Sequence, residues 1–73
     1  MPKDIRLQLG QRIKDLRSKY KLTQDELADR ADISTKFLQN LEGKTPKKAT
    51  IITLQKLAAG FKVPLWEFLK FKD

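Results

Sequence analysis

Three acidic residues in the first half of the chain are spaced closely enough for acid–base chemistry. Asp25 and Glu26 are adjacent and Asp29 follows shortly after, and paired carboxylates can act as general acid and base. The chain has no histidine and no cysteine, which excludes imidazole bases, thiol nucleophiles, disulfides and Cys/His zinc sites. Helix capping accounts for Glu26, which follows Thr23 at the capping-box spacing. We therefore predict that the protein is not an enzyme, holds no metal or other cofactor, and has no small-molecule substrate.

The charge balance points to an anionic partner. Lys and Arg number 16 against 9 Asp and Glu, a formal net charge of +7, and nucleic acid is the first candidate for such a partner. A polar, basic loop follows Glu42, and its members are Lys44, Thr45, Lys47 and Lys48. A charged loop can also simply be exposed to solvent. The position of this loop directly after the polar segment 35–42 favours contacts with phosphates instead.

The segment at 35–42 has a polar face opposite an apolar one. At about 100° per residue, Leu38 and Leu41 mark the buried side of a helix and Lys36 lies opposite them. Lysine suits the acceptors of guanine, whereas asparagine and glutamine match the acceptor–donor edge of adenine. An ordinary solvated surface is the alternative. The candidate base contacts are Thr35, Lys36, Gln39 and Asn40.

Two further residues border this face. Gln24 is the first residue of the preceding predicted helix, where its side chain and the nearby backbone N–H groups point to where a phosphate would lie. Phe37 lies on the shoulder of the polar helix, about 70° from the centre of its buried side. We expect Phe37 to pack in the core, with contact to a thymine methyl group or to the sugar-phosphate backbone as the alternative.

Local signals predict the helices that position these residues. A first helix spans about Asp4 to Lys19, and a second begins after Thr23, which forms a capping box with Glu26. A third helix begins after Ser34 and ends near Glu42, where Gly43 can take a left-handed conformation. One apolar stripe follows the first helix at steps of three and four: Ile5, Leu9, Ile13, Leu16 and Tyr20.

The connection between the second and third helices is very short. Besides the capping serine it contains only Asp32 and Ile33, and aspartate tolerates the left-handed region better than most residues. Two helices joined by so tight a turn must cross steeply. The chain therefore predicts a helix-turn-helix at about 23–42.

The remaining third of the chain also has helical spacing. A fourth helix starts at Thr50, and a fifth starts with Pro64 at its first helical position. The residues of the fourth helix expected to face inward are Ile51, Leu54, Leu57, Ala58 and Phe61. No segment shows convincing strand alternation, so we predict an all-α fold of five helices in one domain, 1–73. No apolar run reaches the roughly 20 residues of a membrane span, and we expect a cytoplasmic protein.

Several of these motifs together resemble a known family. The stretches at 22–28 (LTQDELA), 32–34 (DIS), 38–42 (LQNLE) and 53–58 (TLQKLA) are similar to the phage repressor and Cro type of helix-turn-helix domain, also called the xenobiotic-response-element family. The resemblance covers about residues 9–69. Three features depart from the family pattern: Asp32 replaces the usual turn glycine, Gly43 directly follows Glu42, and Ala49-Thr50 replaces the usual Pro-Ser.

The resemblance implies a compact, repressor-like DNA-binding domain. It implies a bacterial or phage transcriptional regulator that binds double-stranded DNA with helix 35–42 in the major groove, and it assigns the same base contacts and the phosphate contact of Gln24. It also implies a structural ion pair between Arg17 and Glu42. The alternative is a repressor-like protein-interaction module, for example one that binds a toxin or a polymerase subunit, with DNA binding secondary.

Aromatic residues near the carboxyl end suggest self-association. Leu65 and Leu69 can close the core of one protomer, but Trp66 and Phe71 have no obvious cover in so small a domain. The alternative is that Trp66 lies flat on the surface of its own domain. We expect a homodimer, with Trp66 and Phe71 at or near the contact, that binds a near-palindromic operator.

Overall fold

The computed structural model describes residues 4–43 and 48–71. Within these two ranges it contains five helices and no strand: α1 (Ile5–Tyr20), α2 (Gln24–Ala31), α3 (Thr35–Leu41), α4 (Ile51–Phe61) and α5 (Leu65–Phe68). The all-α fold predicted from the sequence is confirmed. In the same ranges, no helix is both long enough and apolar enough to cross a membrane.

The central part of the apolar stripe on α1 forms one wall of the core. Leu9, Ile13 and Leu16 are buried, whereas Ile5 and Tyr20 at the two ends are exposed. The stripe is therefore buried only along its middle, although the exposed Tyr20 ring lies 6.1 Å from the ring of buried Phe61. A helix of 16 residues is about 24 Å long, and the first and last turns of α1 extend past the buried side chains.

The start of α2 has the hydrogen bonds that its sequence predicts. The backbone N–H of Glu26 donates to Thr23 Oγ1 at 3.1 Å, and the backbone N–H of Thr23 donates to the Glu26 carboxylate at 2.9 Å. This second bond is the main reason that the pKa of Glu26 is lowered. This hydrogen bond therefore stabilises the folded protein fully at pH values above the usual pKa of a carboxyl group. The stabilisation is lost as the pH falls through the lowered pKa of Glu26.

The turn between α2 and α3 is closed by a left-handed residue. Asp32 has φ 57° and ψ 47°, and the backbone N–H of Ile33 donates to the Ala28 carbonyl at 3.0 Å. Ser34 Oγ then accepts from the backbone N–H of Phe37 at 3.0 Å and caps α3. The predicted helix-turn-helix is thus formed, with aspartate tolerated in the left-handed position.

The expected left-handed conformation of Gly43 was wrong. No glycine among the described residues has a positive φ, and Glu42 ends α3 with right-handed angles of φ −88° and ψ −3°. The backbone N–H of Glu42 donates to the Leu38 carbonyl and that of Gly43 donates to the Asn40 carbonyl, each at 3.1 Å. These bonds satisfy carbonyls of the last turn without a left-handed cap.

The inward face of α4 is narrower than the sequence predicts. Leu57, Ala58 and Phe61 are buried and Leu54 is half-buried, but Ile51 is 67% exposed. The inward position expected for Ile51 was therefore wrong. The Thr50 hydroxyl accepts from the backbone N–H of Thr53 and caps the helix, so residue 51 lies in the first turn, at the rim of the core.

The fifth helix is a single turn, and its geometry corrects two expectations. Pro64 is the N-cap of α5 and not its first helical residue. The fully buried side chain is Phe68, whose ring lies 6.0 Å from that of Phe61, whereas Leu65 and Leu69 are only partly buried. A helix of one turn can point few side chains into the core. Phe68 takes the central position, and Leu65 and Leu69 lie on either side of it.

Two residues of α1 fix its position in ways that the sequence did not predict. Arg12 donates from Nε to the Phe68 carbonyl at 3.0 Å and from Nη2 to the Glu67 carbonyl at 2.7 Å, which satisfies carbonyls at the end of α5. Gly10 is buried against α3, where an added Cβ would lie 2.5 Å from the Leu41 carbonyl oxygen. Only glycine allows α1 to approach the end of α3 so closely.

Candidate nucleic-acid interface

The outer face of α3 carries the four residues predicted to contact bases. Leu38 and Leu41 are buried at 0% and 1% exposure and fix the orientation of the helix. Phe37 is partly buried and packs against the core, in agreement with its expected core role. The four polar residues divide into exposed Lys36 and Gln39 and half-buried Thr35 and Asn40.

The first of these residues is joined to α2 by a hydrogen bond that sequence reasoning missed. The Thr35 hydroxyl donates to Asp25 Oδ1 at 2.8 Å. Asp25 lies in the first turn of α2 and Thr35 is the first residue of α3, so the bond connects the amino-terminal ends of the two helices. The only sequence signal was the presence of an acid and a hydroxyl at the starts of two helices connected by a tight turn.

Arg17 and Glu42 form an ion pair with two parallel hydrogen bonds. Arg17 Nε lies 2.9 Å from Glu42 Oε2, and Arg17 Nη2 lies 2.8 Å from Oε1. The Glu42 side chain is 3% exposed and that of Arg17 is 20% exposed. Arg17 Nη1 also donates to the Leu22 carbonyl at 3.1 Å. One guanidinium therefore holds α1, the end of α3 and the connection before α2 in a fixed arrangement.

Gln24 joins the same network from α2. Its Nε2 donates to Glu42 Oε1 at 3.2 Å, and its side chain is half-buried. Since Glu42 accepts from both Arg17 and Gln24, the first residue of α2 is positioned by the last turn of α3. This anchoring would hold Gln24 beside the amino end of α2, where backbone N–H groups favour an anion.

The basic loop is described only at its end. Lys48 is exposed two residues before the Thr50 cap of α4. The predicted phosphate contacts at Lys44, Thr45 and Lys47 lie outside the described residues.

Comparison with known proteins places the chain in a family. A family model described as a helix-turn-helix domain matches residues 10–73. The chain belongs to the helix-turn-helix domain family. The family resemblance found in the sequence, over about residues 9–69, is thereby confirmed. None of the curated protein sequences matches this chain.

Three solved protein structures have a fold similar to that of this chain. The restriction-modification controller protein C.AhdI from Aeromonas hydrophila matches with a TM-score of 0.79 at 22% identity, covering 86% of this chain and 94% of that one. C.Esp1396I bound to a 19 base pair DNA duplex matches with a TM-score of 0.80 at 21% identity, covering 92% of each chain. SinR, a master regulator for biofilm formation solved in complex with DNA, matches with a TM-score of 0.76 at 29% identity, covering 85% of this chain and 98% of the SinR chain.

The carboxyl-terminal part of this helix-turn-helix domain exposes apolar side chains. Trp66 is 67% exposed, with Lys70 Nζ 5.9 Å from the centre of its ring. Phe71 is half-buried and packs against the core, so it is better covered than the sequence suggested. An apolar groove of about 270 Å³ lies beside Phe71, and the other residues that line it are Ile5, Arg6, Leu9, Ala49, Leu54 and Leu69.

Proposed function

We propose that this protein is a transcriptional regulator that binds double-stranded DNA in a sequence-specific manner, with α3 in the major groove. The observation that carries the proposal is the polar outer face of α3, directly opposite the buried Leu38 and Leu41. A major groove about 12 Å wide accepts such a helix. The tight turn at Asp32 and the Arg17–Glu42 pair hold α3 at a fixed angle to the other helices.

The proposed contacts divide into base readout and phosphate binding. Lys36 would donate to guanine O6 or N7, and Gln39 and Asn40 would pair with adenine N6 and N7. Gln24 and Lys48 would contact phosphates on either side of the groove, which sets the register of the domain on the duplex. Known helix-turn-helix proteins insert the first residues of the recognition helix deepest, and Thr35 has that position here.

Selection of bound duplexes from a random pool, followed by gel shifts over a range of salt concentrations, tests the proposal. A single enriched motif bound with a steep salt dependence is the expected result. Binding without any enriched motif, or no binding at all, would favour the alternative of a protein-interaction module.

Lys48→Ala is expected to weaken binding to every sequence alike. Loss of one phosphate contact should lower the slope of log affinity against log salt by about one unit. Gel shifts or fluorescence anisotropy at several salt concentrations measure this slope. Lys19→Ala is the matched control, because it removes the same charge from α1. Lys19 lines a cleft between α1 and the region of α5, and no residue of α3 lines that cleft. If Lys48→Ala weakens binding to only one sequence, the side chain reads bases.

We also infer that the protein acts as a homodimer on a near-palindromic site. Trp66 is 67% exposed, and Phe71 in the same carboxyl-terminal segment lines an apolar groove. Exposed apolar side chains of this kind are typical of an interface. Pairing two recognition helices roughly 34 Å apart, one turn of DNA, would extend the sequence that is read.

Trp66→Ala is expected to shift the protein toward monomer and to weaken binding to a full site more than to a half-site. Sedimentation velocity at micromolar to near-millimolar concentrations measures the first effect, and gel shifts on the two duplexes measure the second. Leu7→Ala is the control, since Leu7 is an exposed apolar residue of α1 and does not belong to the carboxyl-terminal segment that carries Trp66 and Phe71. A wild-type protein that stays monomeric and binds one chain per duplex would contradict the dimer.

A further inference from the structure

The hydrogen bond between Thr35 and Asp25 decides how the threonine can interact with a base. A hydroxyl has one proton to donate and two lone pairs that accept, and an ionised carboxylate only accepts. At 2.8 Å the Thr35 hydroxyl must therefore be the donor and Asp25 Oδ1 the acceptor. Its single proton is committed to the protein, so that the Thr35 oxygen can only accept from a further partner.

We propose that Asp25 is a positioning residue that makes Thr35 an obligate acceptor in the groove, so that Thr35 selects a base with an exposed amino group. In the major groove adenine offers its N6 amino group and cytosine its N4 amino group, whereas guanine and the O4 of thymine offer acceptors. On the strand that it faces, Thr35 therefore favours adenine or cytosine over guanine or thymine. The inference rests on the proposed function and adds a rule for one position of the site.

Asp25 lies in the first turn of α2, where a negative charge interacts favourably with the helix dipole. The capping of α2 is performed by Thr23 and Glu26, so the carboxylate of Asp25 is not needed for that role. The residue is exposed and adjoins Gln24 at the surface proposed to face phosphates, where a negative charge opposes DNA binding. A carboxylate at this position is therefore unfavourable for affinity, and its contact with Thr35 gives it a use in specificity.

Exclusion of water strengthens the effect in the complex. The hydrogen bond is exposed in the free protein, where water can exchange with either partner. Once DNA covers the two helix starts, the local dielectric falls and an unpaired polar group becomes costly. A base acceptor placed against the Thr35 oxygen would then face lone pairs without a proton between them.

Four variants compared on the same selected site test this inference. Thr35→Val keeps the shape but removes the hydroxyl, and Thr35→Ser keeps the hydroxyl and its polarity. Asp25→Asn provides an amide that can donate to the Thr35 oxygen, which releases the hydroxyl proton toward the base. Asp29→Asn is the matched control, because it removes the same charge from an exposed residue one turn further along α2.

The readout is competition among duplexes that carry each of the four bases at every position. We expect wild type to prefer adenine or cytosine at one position by about 3- to 10-fold, the range of one net hydrogen bond. Thr35→Val should lose this preference and Thr35→Ser should keep it. Asp25→Asn should lose it or shift it toward guanine or thymine. Asp29→Asn should retain it, although both asparagine variants should bind all duplexes more tightly.

Each remaining outcome decides against the inference. Wild-type base preferences in Asp25→Asn would overturn it, as would a wild-type preference for guanine or thymine at the position that depends on Thr35. Equal changes in Asp25→Asn and Asp29→Asn would mean that only charge matters. If wild type selects no sequence, the proposed function fails and the inference fails with it. If wild type selects a site that Thr35→Val reads unchanged, the inference alone fails. Melting curves of all four variants confirm that they remain folded.

Discussion

Arg17→Ala is expected to lower the free energy of unfolding by about 3–5 kcal/mol, the usual cost of removing one partner of a buried ion pair. The Glu42 side chain is 3% exposed and would be left in the protein interior without its cation. A domain of this size has a total stability of roughly 4–11 kcal/mol. Thermal unfolding followed by far-ultraviolet circular dichroism should therefore show a fall in Tm of about 12 °C or more.

Removing the other partner of the pair, in Glu42→Ala, should lower the free energy of unfolding by less. In Glu42→Ala the charge left behind is that of Arg17, whose side chain is 20% exposed and can extend its guanidinium toward water. The double variant Arg17→Met with Glu42→Leu should recover most of the lost stability, because apolar residues of similar volume often replace a buried pair at little cost. Melting temperatures that are the same for Arg17→Ala and wild type would show that the pair contributes nothing to the folded state.

Replacing Lys36 and Asn40 by alanine is expected to have the largest effect on DNA recognition. Each single substitution should weaken binding to the selected site by about 1–3 kcal/mol, and each should relax the preference at one base pair. Lys36 is exposed and Asn40 is half-buried on the side of α3 away from Leu38 and Leu41, and melting curves of both variants separate loss of readout from loss of stability. Competition gel shifts with single-base variants of the site measure both affinity and preference.

Two comparisons separate readout from general charge effects. Lys19→Ala removes the same charge as Lys36→Ala from α1, and it should leave the base preferences unchanged. Non-specific binding should fall slightly for Lys36→Ala and stay the same for Asn40→Ala, because only the first loses a positive charge. If both single variants bind the selected site like wild type, the orientation proposed for α3 in the groove is wrong.

The contacts of Glu42 with Arg17 and with Gln24 explain how a small domain holds a recognition helix rigidly. Glu42 is the only charged residue that is buried in the described part of the chain, and it accepts from Arg17 of α1 and from Gln24 of α2. Readout of bases depends on side chains being held close to their productive geometry. We therefore expect that destabilising the ion pair also blurs base preference, in addition to lowering stability.

The sequence by itself determined the helices and the orientation of α3. The capping box of Thr23 and Glu26, the Ser34 cap and the tight turn at Asp32 each depend on residues within a few positions of one another. The same holds for the angle between the polar and apolar sides of α3, since helical geometry sets it locally. The family match then extended these local signals to the whole helix-turn-helix domain.

Only the tertiary structure decided which side chains meet across the helices. Arg12 reaches carbonyls 55 and 56 residues away, and Gly10 permits the contact of α1 with α3. The exposure of Ile51, the burial of Phe68 and the hydrogen bond from Thr35 to Asp25 also depend on how whole helices are placed. A periodic pattern shows which side of a helix is apolar, but not how far the core extends along it or which polar partner lies opposite. Those outcomes follow from packing between helices that are distant in sequence.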